Sequence, residues 1–376
     1  MIKWIGPVFD PSGYTAANRD YICALHNLSV DIRVQPINPA RATDECNETT
    51  KLIMKLSQKM IPYEYVMHHF VPERIHTYTE KDKINIAYNT WETTALPTHW
   101  VQHMNASVDA VFVPSEFNKA VYEDSGIKVP IKVIPHCLDP KKYKDTEVDV
   151  LFREKENLFK FLSVFQWTER KNPIALLKAY FSEFSEDDNV MLILKTYGSN
   201  FSLQEQERIK KSIATLKNDM NLKKYPSIYF VGNKLTKNEL FSLYKQSDCF
   251  VLPTRGEGFG LPYAEAALCG NTVIATAFGG QTDFLNSLFS ELIQYQLTPV
   301  SGMSWIPNYN AHMNWAEPDI MHLKRAMREM YTTKMEKPQI YKMRQEYAQS
   351  CIAPRLSYEM VGQMLLDAIK ETRKVT

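Results

Sequence analysis

The sequence contains no apolar run near the roughly 20 residues that a membrane-spanning helix needs. No secretion signal is read ahead of the first strand, expected from Ile2. Its six cysteines (Cys23, Cys46, Cys137, Cys249, Cys269, Cys351) are scattered, with no C-x-x-C pair. That spacing suggests neither a zinc site nor a disulfide framework, so free thiols in a reducing cytoplasm are expected. Excess charge is small: 44 Lys and Arg stand against 43 Asp and Glu, a net +1. The chain therefore shows no strong electrostatic footprint for nucleic acid or an anionic membrane. No G-x-G-x-x-G occurs, which leaves a dehydrogenase-type dinucleotide site poorly supported. Solenoid repeats and low-complexity segments are missing too.

What is present is alternation. A chain of 376 residues is long for one ordinary core and suits two domains. Short apolar runs alternate with helical patterns, the mark of an α/β protein with parallel sheets. The first alternation predicts strands over Ile2–Val8, Val30–Ile37, Tyr63–His69, Ile84–Asn89, Ala110–Pro114 and Lys132–Pro135. Its helices are Tyr14–Leu28, Thr50–Lys59, Thr98–Asn105 and Glu116–Asp124. The charged stretch Asp139–Glu156 has little apolar periodicity and reads as a linker. A second alternation predicts strands over Lys160–Phe165, Met191–Lys195, Ile228–Val231, Cys249–Leu252 and Thr272–Ala275. Helices are expected near Pro173–Phe184, Leu203–Asp219, Lys237–Gln246 and Leu261–Leu268, then near Pro318–Thr332, Pro338–Gln349 and Ser357–Thr372. The expected division is a Rossmann-like domain over 1–150 and a second over 151–354. Two doubly wound halves imply a cleft, a favoured place for ligands.

The most informative stretch runs from Thr254 to Thr276. An apolar strand, an acidic glycine-rich turn and a helix entered through Pro262 follow one another. That order sets Glu257 and Glu265 at the carboxyl edge of a parallel sheet. Gly258 and Gly260 carry no Cβ, so the backbone can approach a ligand closely. The helix start offers N–H groups and a positive dipole end to a phosphate. A carboxylate on each side accepts hydrogen bonds from hydroxyls. Phosphate and hydroxyls together describe a nucleotide-sugar, although glycine turns and glutamates at this spacing also arise by chance.

The full string resembles the paired-glutamate motif of retaining glycosyltransferases with the GT-B fold, glycosyltransferase family 4 in particular. Glu257, Gly258, Phe259, Gly260, Leu261, Pro262, Glu265 and Ala266 match its pattern, followed by Gly270 and the strand Thr272–Ala275. The resemblance implies two Rossmann-like domains facing a central cleft. The first would be the acceptor side, with a last helix of about 355–376 crossing back onto it. The second would hold the nucleotide-sugar donor. Glu265 would bind the ribose hydroxyls and Glu257 the transferred sugar. Backbone groups from Gly258, Phe259, Gly260 and Leu261 would meet the diphosphate. In the segment Phe161–Tyr180, Arg170 and Lys171 match a basic pair that touches donor phosphates. By themselves they also read as two solvated cations before a proline-started helix. The chain departs from the family at the preceding strand end, where an additional arginine is common. Val164, Phe165 and Gln166 hold that place, and Arg170 is the expected substitute.

Other candidates are weaker. Ser12 and Gly13, before the first helix, match a glycine loop facing donor phosphate and acceptor; Ser12 also reads as a plain helix cap. Asn89 stands where several family members carry a histidine that contacts the sugar, with Glu92 just beyond it. His69 resembles a second recurring histidine position but also reads as a packed core histidine. Asn233, in Gly232–Leu235, lies in the loop that would hold the base through backbone groups. His136 and the glycine loop of Gly279, Gly280 and Asp283 support the fold more than chemistry. No D-x-D pair occurs, so the diphosphate charge is expected to be met without metal or other cofactor. The reading is a cytoplasmic retaining hexosyltransferase using a UDP- or GDP-sugar and a hydroxyl acceptor. Open alternatives are an epimerase or hydrolase of the same fold, and a non-catalytic nucleotide-sugar-binding subunit. The acceptor is unread: a glycan, a lipid-linked sugar, a protein or a modified nucleobase.

Overall fold

The computed structural model describes residues 1–10, 12–38, 47–145 and 157–374. Residues 146–156 of the expected linker lie outside the described residues, as does Cys46. The chain divides into two compact units. The first is Met1–Asp139 with Ala353–Thr376, and the second is Pro140–Ile352.

The first unit carries six parallel strands: β1 (Ile2–Gly6), β2 (Ile32–Pro36), β3 (Tyr65–His68), β4 (Ile84–Tyr88), β5 (Ala110–Val113) and β6 (Ile131–Val133). Their order is β2-β1-β3-β4-β5-β6. Strands of such a sheet are covered on both faces and read as near-continuous apolar runs. β5, AVFV, is buried at every position. Helices α1 (Gly13–Asn27), α2 (Glu48–Ser57), α3 (Thr98–Ser107) and α4 (Glu116–Asp124) lie between the strands. The C-terminal helix Tyr358–Glu371 packs on α1, and its Val361, Leu365 and Ile369 join the α1 core. Gly362 permits the approach: a Cβ there would sit 3.2 Å from the Ala24 Cβ.

The second unit opens with the short helix α5 (Pro140–Asp145), inside the stretch expected to be linker. Its six-stranded parallel sheet runs β12-β11-β10-β7-β8-β9. The strands are β7 (Phe159–Gln166), β8 (Val190–Tyr197), β9 (Ser227–Val231), β10 (Cys249–Leu252), β11 (Thr272–Thr276) and β12 (Ser290–Ile293). The intervening helices are α6 (Pro173–Glu183), α7 (Leu203–Met220), α8 (Lys237–Lys245) and α9 (Leu261–Leu268). An antiparallel hairpin of β13 (Tyr295–Pro299) and β14 (Asn314–Pro318) follows, then α10 (Ile320–Glu336) and α11 (Pro338–Arg355).

The sequence pattern missed β12 and the hairpin. The hairpin lacks a tight turn: Val300 N–H meets Met313 O at 2.9 Å across a long loop. Pro318, expected to open a helix, instead ends β14 opposite Tyr295. Asp319 is the cap, accepting from the Met321 and His322 N–H groups. α11 runs on past Gln349 to Arg355, with Pro354 in its last turn. Among the described residues, no helix is long and apolar enough to cross a membrane.

Candidate active site

In the second unit the chain leaves β7 toward β8 and returns to β10 on the other side of β7. The loops after β7 and β10 diverge there, and the crevice at such a switch is the ligand position of an open parallel sheet. The loop after β7 makes a 3-10 turn at Glu169–Lys171 and ends at Asn172, whose φ is 53°. Asn tolerates that left-handed geometry. The Asn172 side chain accepts from the Ala175 N–H, capping α6 with Pro173 in its first turn. The loop after β10 is tied to this one. Arg255 N–H donates to Arg170 O, and Arg170 Nη1 donates to Gly256 O, each at 2.7 Å.

These ties bring Glu257, Lys171 and Arg170 together. Lys171 Nζ lies 2.5 Å from Glu257 Oε1, and Arg170 Nη1 lies 3.3 Å from Oε2. The Glu257 side chain is only 8% exposed. Burial pushes its carboxyl up, but Lys171 and Arg170 outweigh burial and hold it below its ordinary range. Breaking such a buried pair leaves an uncompensated charge, which costs far more than an exposed pair contributes.

The glycine turn is fixed by close backbone approach. Gly260 caps α9 at φ 92°, a conformation costly to residues with a Cβ. The Gly280 N–H donates to Glu257 O at 2.8 Å, and a Cβ on Gly280 would sit 2.0 Å from Gly258 O. Phe259 turns its ring inward against Phe284, at 5.1 Å between centroids. Its backbone, not its side chain, is what this turn can present. Leu261 is the first residue of α9, and Glu265 lies in the second turn. Glu265 accepts from Tyr143 OH at Oε1 and from Tyr244 OH at Oε2, each at 3.2 Å.

Asn233 stands apart from this cluster. It is exposed after β9, and its carbonyl accepts from Lys195 Nζ at 2.8 Å.

In the first unit the remaining candidates gather at the carboxyl ends of β1, β3 and β4. Ser12 caps α1, accepting from the Thr15 N–H at 3.2 Å. Gly13 beside it is exposed, and a Cβ there would meet nothing within 4 Å. His69 follows β3 and is 1% exposed, with no hydrogen-bond partner for either ring nitrogen among the described residues. The rings of Trp4, Tyr14, Tyr21, Tyr88 and His136 surround it at 4.5 to 6.3 Å. Burial holds the His69 imidazole well below its ordinary pKa, with help from His136. The same cause lowers His136 to about 3. Gly6 makes room for this cluster: a Cβ there would lie 2.7 Å from His69 O. Asn89 is buried; its Nδ2 donates to Phe70 O and its Oδ1 has no partner among the described residues. Next to it the Thr90 N–H meets Tyr14 OH at 3.4 Å. Glu92 is half-buried.

Four residues of these sites carried no sequence signal strong enough to single them out. Tyr143 was hidden in a charged stretch read as linker. Tyr244 looked like one apolar residue of a helix. Lys195 ended an apolar strand. Arg255 sat inside the motif without a match to it, yet its Nε donates to Glu317 Oε2 at 2.6 Å and its Nη1 to Glu169 O at 2.6 Å.

Residues 145–294 match the sequence model of the family "Glycosyl transferases group 1". Alpha-monoglucosyldiacylglycerol synthase of Streptococcus pneumoniae is 27% identical over 198 residues. That match covers 49% of this chain and 40% of the synthase, so the chain spans less than half of that relative's length. Among solved structures, Anabaena Alr3699/HepE in complex with UDP-glucose superposes with a TM-score of 0.70 at 14% identity, covering 98% of this chain and 99% of that one. Sucrose-phosphate synthase of Thermosynechococcus elongatus gives 0.67 at 16%, covering 98% of each. An E. coli trehalose-6-phosphate structure bound with UDP-2-fluoro glucose gives 0.69 at 10%, covering 99% of each. The chain thus has the GT-B fold, and its residues 145–294 carry the sequence pattern of glycosyl transferases group 1.

Proposed function

We propose that this chain is a retaining glycosyltransferase. It moves a sugar from a nucleoside-diphosphate sugar to a hydroxyl acceptor and needs no metal. The observation that carries this reading is the buried Glu257 held by Lys171 and Arg170 at the switch point of the second sheet. Two cations and a glycine-rich helix start suit a diphosphate, with Arg forking onto two oxygens and Lys acting as a point charge. The UDP-glucose and UDP-2-fluoro glucose complexes of the structural neighbours support a UDP-sugar as donor.

In this reading the diphosphate competes with Glu257 for Lys171 and Arg170. The released Glu257 carboxylate then accepts from hydroxyls of the transferred sugar. Glu265 holds the ribose hydroxyls, with Tyr143 and Tyr244 fixing its carboxylate. The acceptor oxygen bonds to the anomeric carbon on the face the diphosphate leaves. The anomeric carbon–oxygen bond to the diphosphate breaks, and the acceptor proton passes to the departing phosphate. Charge developing there is met by Lys171, Arg170 and backbone N–H groups of the turn.

Thermal unfolding against UDP, GDP, ADP and dTDP and their sugar conjugates tests the donor. A ligand at 100 times its dissociation constant adds roughly 2.7 kcal/mol of stability. A shift with one nucleotide family, lost in Glu265→Ala, is expected. No shift with any of them would sink the reading. Product analysis then separates transfer to an acceptor from epimerisation or hydrolysis of the donor, and from binding without turnover.

A further inference from the structure

One buried cation near the candidate site has no role in the reading above. Lys195 lies near the end of β8, directly opposite Val164 of β7 in the parallel register. It is 7% exposed. Its ammonium reaches the loop after β9, donating to Asn233 O at 2.8 Å. Among the described residues that carbonyl is its one hydrogen-bond partner, and no carboxylate lies within ion-pair distance. An ammonium has three N–H donors, and Asn233 O accepts from one of them. Burying a cation without a full set of acceptors is costly. Burial lowers the Lys195 pKa to about 8, which leaves it charged at neutral pH. Beside it the rings of Tyr197 and Phe201 stack at 4.5 Å between centroids, 27° apart. The ammonium lies 5.1 Å from the Phe201 centroid and 6.0 Å from that of Tyr197. A buried donor fixed by one carbonyl, next to flat rings and one strand from the Arg170–Lys171 loop, suits a planar group that carries an exposed carbonyl.

We propose that Lys195 is a specificity-determining residue that donates to an exocyclic carbonyl of the donor's base, so that uracil or guanine is chosen over adenine. This rests on the second unit holding a nucleotide donor. Uracil and guanine present a carbonyl acceptor on the edge where adenine presents an amino group. A site built around a buried donor rejects the analogue that leaves it unpaired. The Asn233 carbonyl holds the ammonium in place, and the loop after β9 is thereby fixed to β8.

The test is calorimetric titration of UDP, GDP and ADP into the wild type, Lys195→Met and Lys195→Arg. Unfolding midpoints of the unliganded proteins are measured alongside. Met keeps the stem length and removes the buried charge, so folding is expected to survive. The wild type should bind UDP or GDP at least about 10-fold more tightly than ADP. Lys195→Met should bring them within about 3-fold, by weakening UDP or GDP and sparing ADP. Lys195→Arg should restore part of the preference. Equal wild-type affinity for UDP, GDP and ADP overturns the assignment while leaving the donor reading intact. Equal weakening of all three in Lys195→Met also overturns it, since that marks a phosphate contact or a loop tether. No binding of any nucleotide to the wild type sinks this inference and the donor reading together.

Discussion

The two units present different chemistry at the same topological place. In the second, the crevice beside β7 and β10 is built from charge: one buried carboxylate, two cations touching it, and a glycine turn beneath. In the first, the crevice beside β1 and β3 centres on the buried, uncharged His69 ring, with tyrosine and tryptophan rings around it and carboxylates such as Glu92 only at its margin. Among the described residues, His69 there has no hydrogen-bond partner and Asn89 has a bare Oδ1. Charge held in place by backbone hydrogen bonds is suited to a diphosphate, whose own charge is fixed and large. Neutral polar groups in an aromatic wall suit hydroxyls, which form hydrogen bonds without bringing charge. Six parallel strands support either arrangement, so the fold does not decide which unit does what. The side chains at the strand ends do.

The sharpest break of this comparison is Lys171→Ala. Removing a donor that meets developing charge typically costs 10² to 10³ in turnover, about 2.7 to 4 kcal/mol. The same change leaves the buried Glu257 with Arg170 alone, so the free protein should also lose about 1 to 3 kcal/mol of stability. The control is His69→Leu in the first unit, which removes a ring with no hydrogen bond among the described residues. Its stability at pH 7.5 should stay within about 1 kcal/mol of wild type. Steady-state rates and denaturant unfolding measure both. A Lys171→Ala protein with wild-type turnover would remove the charge from the argument.

Acid separates the units next. His68 is lowered to about 4, His136 to about 3 and His69 well below its ordinary value, all chiefly by burial. Unfolded histidine titrates near 6.5. Below that pH the unfolded chain takes up protons that the folded first unit refuses, so its stability falls as pH falls. The slope is up to about 1.4 kcal/mol per pH unit for each such histidine. Glu257 behaves differently. Its folded pKa is depressed, so its contribution is present above the unfolded carboxylate value near 4.3 and is lost only as pH falls through the folded value. Between pH 6.5 and 4.5 the first unit should therefore weaken ahead of the second. Hydrogen exchange of α1 against α9, corrected for intrinsic rates, shows the order. His69→Leu should shallow the first unit's slope by about a third.

What the sequence made legible follows the same division. The second unit's site lies in two short windows, around Arg170–Lys171 and Glu257–Glu265. Local motifs name their residues because chain neighbours are also spatial neighbours there. Most strands and helices could be read for a similar reason, since apolar runs and caps are local. The first unit's cluster draws on Trp4, Tyr21, His69, Tyr88 and His136, which meet only when α1 packs over the strand ends. No window contains them: His69 and His136 resembled family positions, but Trp4, Tyr21 and Tyr88 carried no site signal of their own. The hairpin β13–β14 escaped because exposed β13 carries weak apolar alternation, β14 is short and the turn between them is long. Arg255, Lys195 and Tyr143 escaped because their partners lie 86, 38 and 122 positions away.

Glu265→Ala comes next in size. Hydrogen bonds to a charged group contribute about 1.5 to 3 kcal/mol, so nucleotide affinity should fall about 10- to 100-fold. Glu257→Ala should slow transfer more than it weakens nucleotide binding. An unchanged nucleotide dissociation constant in Glu265→Ala would refute the ribose assignment.

The smallest effect is the most discriminating about how the second unit holds its charge. Tyr143 sits on α5, and its hydroxyl donates to Glu265 Oε1, while Tyr244 donates to Oε2. Tyr143→Phe removes one oxygen and leaves the ring against Phe241, at 4.5 Å between centroids. Tyr244 still orients the carboxylate, so nucleotide affinity should weaken only about 2- to 10-fold, less than in Glu265→Ala. The double variant Tyr143→Phe with Glu265→Ala should bind no worse than Glu265→Ala alone, because the hydroxyl acts through that carboxylate. Additive losses would mean that Tyr143 meets the nucleotide itself. In that case the donor site would rest on a hydroxyl as well as on charge, and the contrast between the two units would narrow.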